Sequence, residues 1–180
     1  MFKIIAFTGM PFSGKSEAVK IAQKNKIQVV RMGDMIWDEV RNHGLKLTDE
    51  NVGRIANDMR DQYGKDIWAK RTIEKIKNMK TKDLLVIDGI RNEEEVQTFK
   101  KNLGKDFLLV AVEVLDTIRY KRAMNRGRED DALNLEKVKQ RDNREIKWGL
   151  KKAIASADIV ISNNESLEEF QSKINHLFKR

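Results

Sequence analysis

Apolar positions along the 180-residue chain follow two rhythms. Five short stretches read as strands: Lys3 to Thr8, the β-branched run Ile27 to Met32, the continuous apolar run Leu84 to Ile87, Phe107 to Leu115 apart from Glu113, and Ile159 to Ile161. Runs of this kind suit strands buried on both faces of a parallel sheet. Between them the apolar residues recur at helical spacing. A helix is expected up to about Lys24, then from Gly33-Asp34 to Asn42, where Gly44 breaks the pattern. The next covers Asn51 to Tyr63, with Val52, Ile55, Ala56 and Met59 on one face, and another covers Asp66 to Met79. Asn92 with Glu95 has capping-box spacing and opens a helix over Glu93 to Asn102. Thr117 to Arg126 and Leu135 to Trp148 read as two charged helices, and Ser166 with Glu169 caps a last one ending at Phe178.

Strands that alternate with helices predict one α/β domain over residues 1–180, a five-stranded parallel sheet between two helical layers. Ligands of such sheets bind at the carboxyl ends of the strands. That rim gathers Gly9 to Ser16, Met32 to Asp34, Asp88 to Arg91 and Ser162 to Glu165.

The rim carries a recognisable chemistry. Residues 9–16 read Gly-Met-Pro-Phe-Ser-Gly-Lys-Ser, the phosphate-binding pattern G-x-x-x-x-G-K-[ST] between a strand and a helix. Gly9 and Gly14 let the backbone curl so that amides of Met10, Pro11's neighbours, Phe12 and Ser13 face one anion, and the following helix adds its positive end. Lys15 is placed for the β and γ phosphates, and the Ser16 hydroxyl for Mg²⁺. A glycine turn with an incidental Lys-Ser is the plain alternative, disfavoured by the strand before it and the helix after it. The fold expected is therefore the P-loop NTPase sandwich, and the ligand a nucleoside triphosphate.

Asp88 ends an apolar strand, where an acid of a P-loop protein helps to hold the Mg²⁺ shell. Gly89 permits close backbone approach, and Arg91 offers a guanidinium to a second phosphate. Arg119, Arg122 and Arg126 share one helical face, as do Lys137, Arg141 and Arg144 on the next helix. Joined by Gly127 to Asp131, the two faces predict a short lid over residues 119–147 that clamps phosphates. A solvated charged face is the competing reading for each of these residues.

Charge narrows the partners without choosing among them. The net charge is +8, which favours nucleotides and nucleic acid alike. Cysteine is absent, which removes disulfides and thiolate metal sites. No apolar run approaches a membrane span and no signal-peptide pattern opens the chain, so a cytoplasmic protein without membrane contact is expected. His43 and His176 are isolated on helices, Trp68 reads as core, and Trp37 and Trp148 lie near enough to the rim to stack on a base.

These landmarks together resemble the nucleoside-monophosphate kinase superfamily, and most closely the adenylate-kinase-related P-loop proteins of archaea. The resemblance spans nearly the whole chain. It rests on residues 9–16, on Arg31-Met-Gly-Asp-Met35, Asp88-Gly-Ile-Arg91, the Arg122 and Arg126 pair, and Arg141-Asp-Asn-Arg144. It implies that Gly33, Asp34, Asp88, Gly89, Arg91 and Arg144 border the acceptor substrate, and that Arg122, Arg126 and Arg141 lie near the phosphates. Adenylate kinases have an arginine at the position of Trp37 and a glycine at that of Phe12, and this chain departs from both. The segment from Ala157 to Glu168 is also similar to dephospho-coenzyme A kinases, where this edge borders adenine and so implicates Asn163.

The expected activity is transfer of the γ-phosphoryl of ATP, with Mg²⁺, to a small nucleotide such as AMP. A dephospho-coenzyme A kinase is the enzyme alternative. A nucleotide-dependent ATPase or AMP sensor that binds RNA or a protein is the alternative from another class, and no nucleic-acid recognition motif with interleaved aromatics supports it.

Overall fold

A computed structural model describes residues 4–79, 84–125 and 135–179. Five strands, β1 (Ile4–Thr8), β2 (Gln28–Arg31), β3 (Leu85–Asp88), β4 (Phe107–Glu113) and β5 (Ile159–Ser162), form one sheet in the order β2-β3-β1-β4-β5. All four pairings are parallel. The helices among the described residues are α1 (Lys15–Lys24), α2 (Met32–Asn42), α3 (Asp49–Tyr63), α4 (Ile67–Lys77), α5 (Glu93–Leu103), α6 (Asp116–Asn125), α7 (Leu135–Lys147), α8 (Leu150–Ala155) and α9 (Leu167–Phe178).

The inner strands β1, β3 and β4 are apolar up to their last residues because both faces are covered, whereas the edge strands β2 and β5 expose Gln28, Arg31 and Val160. Ile4, Ala6, Leu85, Ile87, Phe107 and Leu109 point to one core, which α2, α3, α4, α5 and α8 complete. Ile5, Phe7, Val86, Leu108, Val110 and Val112 point to the other, beneath α1 and α9. Trp68 is wholly buried in the first core, as its sequence context suggested.

Several boundaries differ from the sequence reading. Met32 starts α2 rather than ending β2, and β4 stops at Glu113 rather than Leu115. Helix α8 was missed: Gly149, at φ 106°, ends the run through Trp148 and starts six further helical residues whose only buried members are Leu150 and Ala153. The Ser166–Glu169 capping box forms in full. Only half of the one at Asn92 does: Asn92 Oδ1 accepts from the Glu95 amide at 2.7 Å, but the Glu95 carboxylate turns instead to the Arg91 amide, also at 2.7 Å. That diversion places a buried acid beneath the rim.

Candidate functional site

The central strand β1 delivers the phosphate loop between the ends of β3 and β4. Gly9 has φ 144°, and a Cβ there would stand 2.5 Å from the Val112 carbonyl oxygen of β4. Gly14 has φ 111°, and its Cβ would meet Asn163 Nδ2 at 2.1 Å. Both positions thus exclude side chains. Gly14 gives α1 no side-chain cap, which leaves the first amides of the helix for an anion. Phe12 occupies the left-handed region at φ 63°, a conformation that costs a bulky L-residue roughly 1–2 kcal/mol. This is the place where the resembling kinases carry glycine.

Lys15 is buried, and its Nζ donates to the carbonyls of Gly9 at 2.6 Å and Met10 at 2.9 Å and to Ser13 Oγ at 3.4 Å. Burial, aided by the Arg91 charge, pushes Lys15 down to about 7, while one acceptor per ammonium proton sustains the charged form. Asp88 lies beside Phe7 of β1 and Arg31 of β2 in the sheet register. Its Oδ1 is buried and, among the described residues, lacks a hydrogen-bond partner. An orphaned carboxylate oxygen at a strand end, with the exposed Ser16 hydroxyl at the start of α1, fits a hard cation that keeps waters and phosphate oxygens as its other ligands. No cluster of three or more His, Cys, Asp or Glu exists among the described residues, so a cation here would not sit in an all-protein cage.

The sequence reading missed the residue at the centre of this charge cluster. Glu145 of α7 is buried; its Oε1 accepts from Arg141 Nε at 3.1 Å, and its Oε2 lies 2.9 Å from Arg91 Nε. Despite the burial, Arg91, Arg141 and Lys15 together pull its acid down to about 2. Its one sequence signal is the spacing of four from Arg141, common on any charged helix. Glu95 supports the cluster from below, binding the Arg91 amide through Oε2 and Arg60 Nη2 at 3.0 Å through Oε1.

The expected basic clamp is divided. Arg119 is a correction: it is buried and bound to Asp142 and Asp116, with Nη1 3.4 Å from the Pro11 carbonyl, so it braces the loop from behind rather than facing phosphates. Arg122 Nη2 donates to the Asn163 carbonyl at 3.0 Å, and Asn163 Nδ2 donates to the Ser13 carbonyl at 2.7 Å. Asn163 thereby ties β5, α6 and the loop together. Arg144 forms two 2.8 Å bonds to Asp49 of α3, and Arg141 lies over the Phe12 ring, 5.9 Å from its centroid. Lys137 is exposed, and Arg126 with the Gly127–Asp131 connector lies outside the described residues.

On the other side of the rim, Gly89 at φ 113° brings β3 against the start of α2; its Cβ would sit 3.3 Å from that of Met32. Gly33 faces open space and Trp37 is exposed, at 39%. Asp34 is part-buried in the first turn of the same helix. Trp148 is not open for stacking: its indole N–H donates to Asn57, and the guanidinium carbons of Arg60 and Arg144 lie 4.5 and 5.6 Å from its ring centre.

Comparison with known proteins places this architecture. Residues 8–139 match the AAA domain family. A UPF0200 protein of Methanosarcina barkeri is 43% identical over 172 residues, covering 96% of this chain and 92% of its own length. The chain belongs to the UPF0200 family. A Methanoculleus marisnigri member is 44% identical over 178 residues, covering 99% of this chain and 96% of its own. An Archaeoglobus fulgidus relative, a UPF0200/UPF0201 protein, is 44% identical over 97% of this chain, which spans only 54% of that protein. Among solved structures, the UPF0200 chain shares its fold with a Thermus thermophilus protein, TM-score 0.67 at 17% identity over 99% of this chain and 97% of that one. It shares it also with the Campylobacter jejuni dephospho-CoA kinase, 0.61 at 16% over 99% and 96%, and the Aquifex aeolicus shikimate kinase, 0.54 at 16% over 98% and 96%. The fold is that of P-loop kinases. No helix among the described residues is long and apolar enough to cross a membrane.

Proposed function

We propose that this UPF0200 chain is a phosphotransferase that moves the γ-phosphoryl group of ATP to a small nucleotide, with AMP the first acceptor to test. The observation that carries the reading is the convergence of Lys15, Arg91 and Arg141, with the orphaned Asp88 oxygen, at the mouth of a phosphate loop. Lys15 and the loop amides hold the donor phosphates. Ser16 and Asp88 are the residues to hold a Mg²⁺ ion, which supplies positive charge against the phosphate oxygens when bound. Arg91 and Arg141 neutralise charge on the transferring group. An acceptor oxygen attacks the γ-phosphorus in line; the bond from phosphorus to the β–γ bridging oxygen breaks, and ADP leaves with the electron pair. Gly33, Asp34 and the Asp88–Arg91 turn border the acceptor.

A phosphate acceptor needs no base. A hydroxyl acceptor such as dephospho-coenzyme A is the second reading, favoured by two observations: Trp37 stands where a monophosphate-binding arginine would be, and Arg91 is already paired with Glu145. In that version Asp34 takes the hydroxyl proton as the new P–O bond forms. Calorimetric titration with AMP, other monophosphates and dephospho-coenzyme A separates the two. The AMP reading expects Arg91→Ala to weaken AMP about tenfold or more while ATP changes little, given the usual worth of a charge-assisted bond. Equal losses of both ligands contradict a two-site arrangement.

A further inference from the structure

Glu145 belongs to neither the phosphate loop nor the acceptor turn, yet it touches Arg91 of that turn and Arg141, which lies over Phe12 of the loop. Its carboxylate is 3% exposed. A buried carboxylate is costly unless it is paired, and here Oε1 accepts from Arg141 Nε while Oε2, without a hydrogen bond, is held by the charge of Arg91 at 2.9 Å. Nε, the guanidinium nitrogen nearest the side-chain stem, makes the contact in both cases, as a hydrogen bond from Arg141 and as an ion pair from Arg91. A guanidinium is planar and rigid, so the hydrogen bond at Nε fixes the direction of the Arg141 fork, while the charge of Oε2 restrains Arg91 without that directionality. Arg91 is held a second time through its amide by Glu95. Arg141, on the same helix as Glu145, lies over the Phe12 ring of the phosphate loop. The carboxylate therefore joins the donor side, α7 and the loop, to the acceptor side, the β3–α5 turn.

We propose that Glu145 is the positioning residue of the transfer site: it aims Arg91 and Arg141 jointly at the phosphoryl group and keeps the three neighbouring cations from repelling one another. This rests on the phosphotransferase reading. Its action is through the arginines, without contact with the reacting atoms. The charge arithmetic gives the proposal a signature. Removing a negative charge from among three cations cannot weaken their attraction for a polyphosphate, but it does release their aim. A residue that only stabilised the fold would instead lower binding and turnover together.

The test compares wild-type protein with Glu145→Gln and Glu145→Asp, using Mg·ATP and whichever of AMP or dephospho-coenzyme A supports turnover. Gln keeps the size and offers a carbonyl to one arginine only; Asp keeps the charge and falls one methylene short. The expected result for Glu145→Gln is a kcat lower by about ten- to a hundredfold, the scale of losing aimed charge in a transition state. KM and the calorimetric Kd for Mg·ATP should be unchanged or tighter. Glu145→Asp should recover part of kcat. Native circular dichroism and a cooperative melt establish that each variant is folded, and the Mg·ATP affinity serves as a second readout of the intact loop. A folded Glu145→Gln with wild-type kcat overturns the assignment, as do parallel losses of kcat and ATP affinity. If the wild-type chain itself transfers no phosphoryl group, the phosphotransferase reading fails first and this assignment falls with it.

Discussion

Arg119 Nη1 and Nη2 lie 2.9 and 2.7 Å from the two carboxylate oxygens of Asp142, a buried fork-to-fork pair that locks α6 to α7. Arg119 has a second carboxylate in Asp116, whereas among the described residues Asp142 has only the Tyr120 hydroxyl besides, at 3.2 Å. Breaking the pair costs up to about 3–5 kcal/mol, the full amount only where the remaining buried charge has no other partner. Arg119→Ala should be the worse of the two, because Asp116 still serves Arg119 when Asp142 is gone. Denaturant unfolding checks the order, and the double variant Arg119→Met/Asp142→Leu should recover most of the loss. A larger loss in Asp142→Ala than in Arg119→Ala contradicts this account.

Gly14 is held by two constraints that no other residue meets. Gly14→Ala forces a left-handed residue and drives its methyl into the Asn163 amide that clasps the Ser13 carbonyl. The expected outcome is a loss of 2 kcal/mol or more, roughly the sum of backbone strain and a broken buried hydrogen bond. Triphosphate binding should fall at least about tenfold with it. Thermal melts and fluorescent-nucleotide titration read the two effects. Wild-type affinity in Gly14→Ala is the contrary result.

Lys15 links triphosphate binding to pH. Burial holds it down to about 7 in the free protein, and phosphate oxygens raise it. At pH 8.5 the free lysine is largely neutral and the bound one charged, so binding takes up a proton. Affinity for Mg·ATP should fall as pH rises above 7. Titrations in buffers of different ionisation enthalpy should return an uptake of up to about one proton, and Lys15→Met should abolish it. Binding without proton exchange at that pH would count against the Lys15 geometry.

Glu145 links stability to acid. Its folded acidity is lowered from 4.5 to about 2, so the stabilisation is full above 4.5 and is lost as pH falls through that interval toward 2. The shift corresponds to a contribution on the order of 3 kcal/mol. Urea unfolding between pH 5 and 2 should show a steeper decline in wild-type protein than in Glu145→Gln, and parallel declines would deny the buried pairing.

The parts of the site that are contiguous were legible in the sequence. Residues 9–16 and Asp88–Arg91 carry their chemistry within single loops, and the apolar runs of β1, β3 and β4 reveal a sheet centre covered on both faces. What failed to show is which way each charged helix residue turns. Arg119, Arg122 and Arg126 share a face by spacing, but only packing reveals that Arg119 faces Asp142 and Pro11. The same holds for Arg144, drawn to an acid 95 residues earlier, and for Glu145, whose burial depends on Arg91 in another element. Helix α8 escaped because six residues with apolar positions at Leu150, Ala153 and Ile154 are too short for a period to emerge.

The central claim is that the phosphate loop works in phosphoryl transfer. The most direct measurement is an ADP-release assay with Mg·ATP and AMP or dephospho-coenzyme A, run on wild-type protein and Lys15→Ala. Acceptor-dependent ADP with matching phosphorylated product, lost by about a thousandfold or more in Lys15→Ala, is the result expected of a loop lysine on the transferring phosphate. Turnover that survives Lys15→Ala, or ATP binding with no acceptor-dependent product, would contradict it.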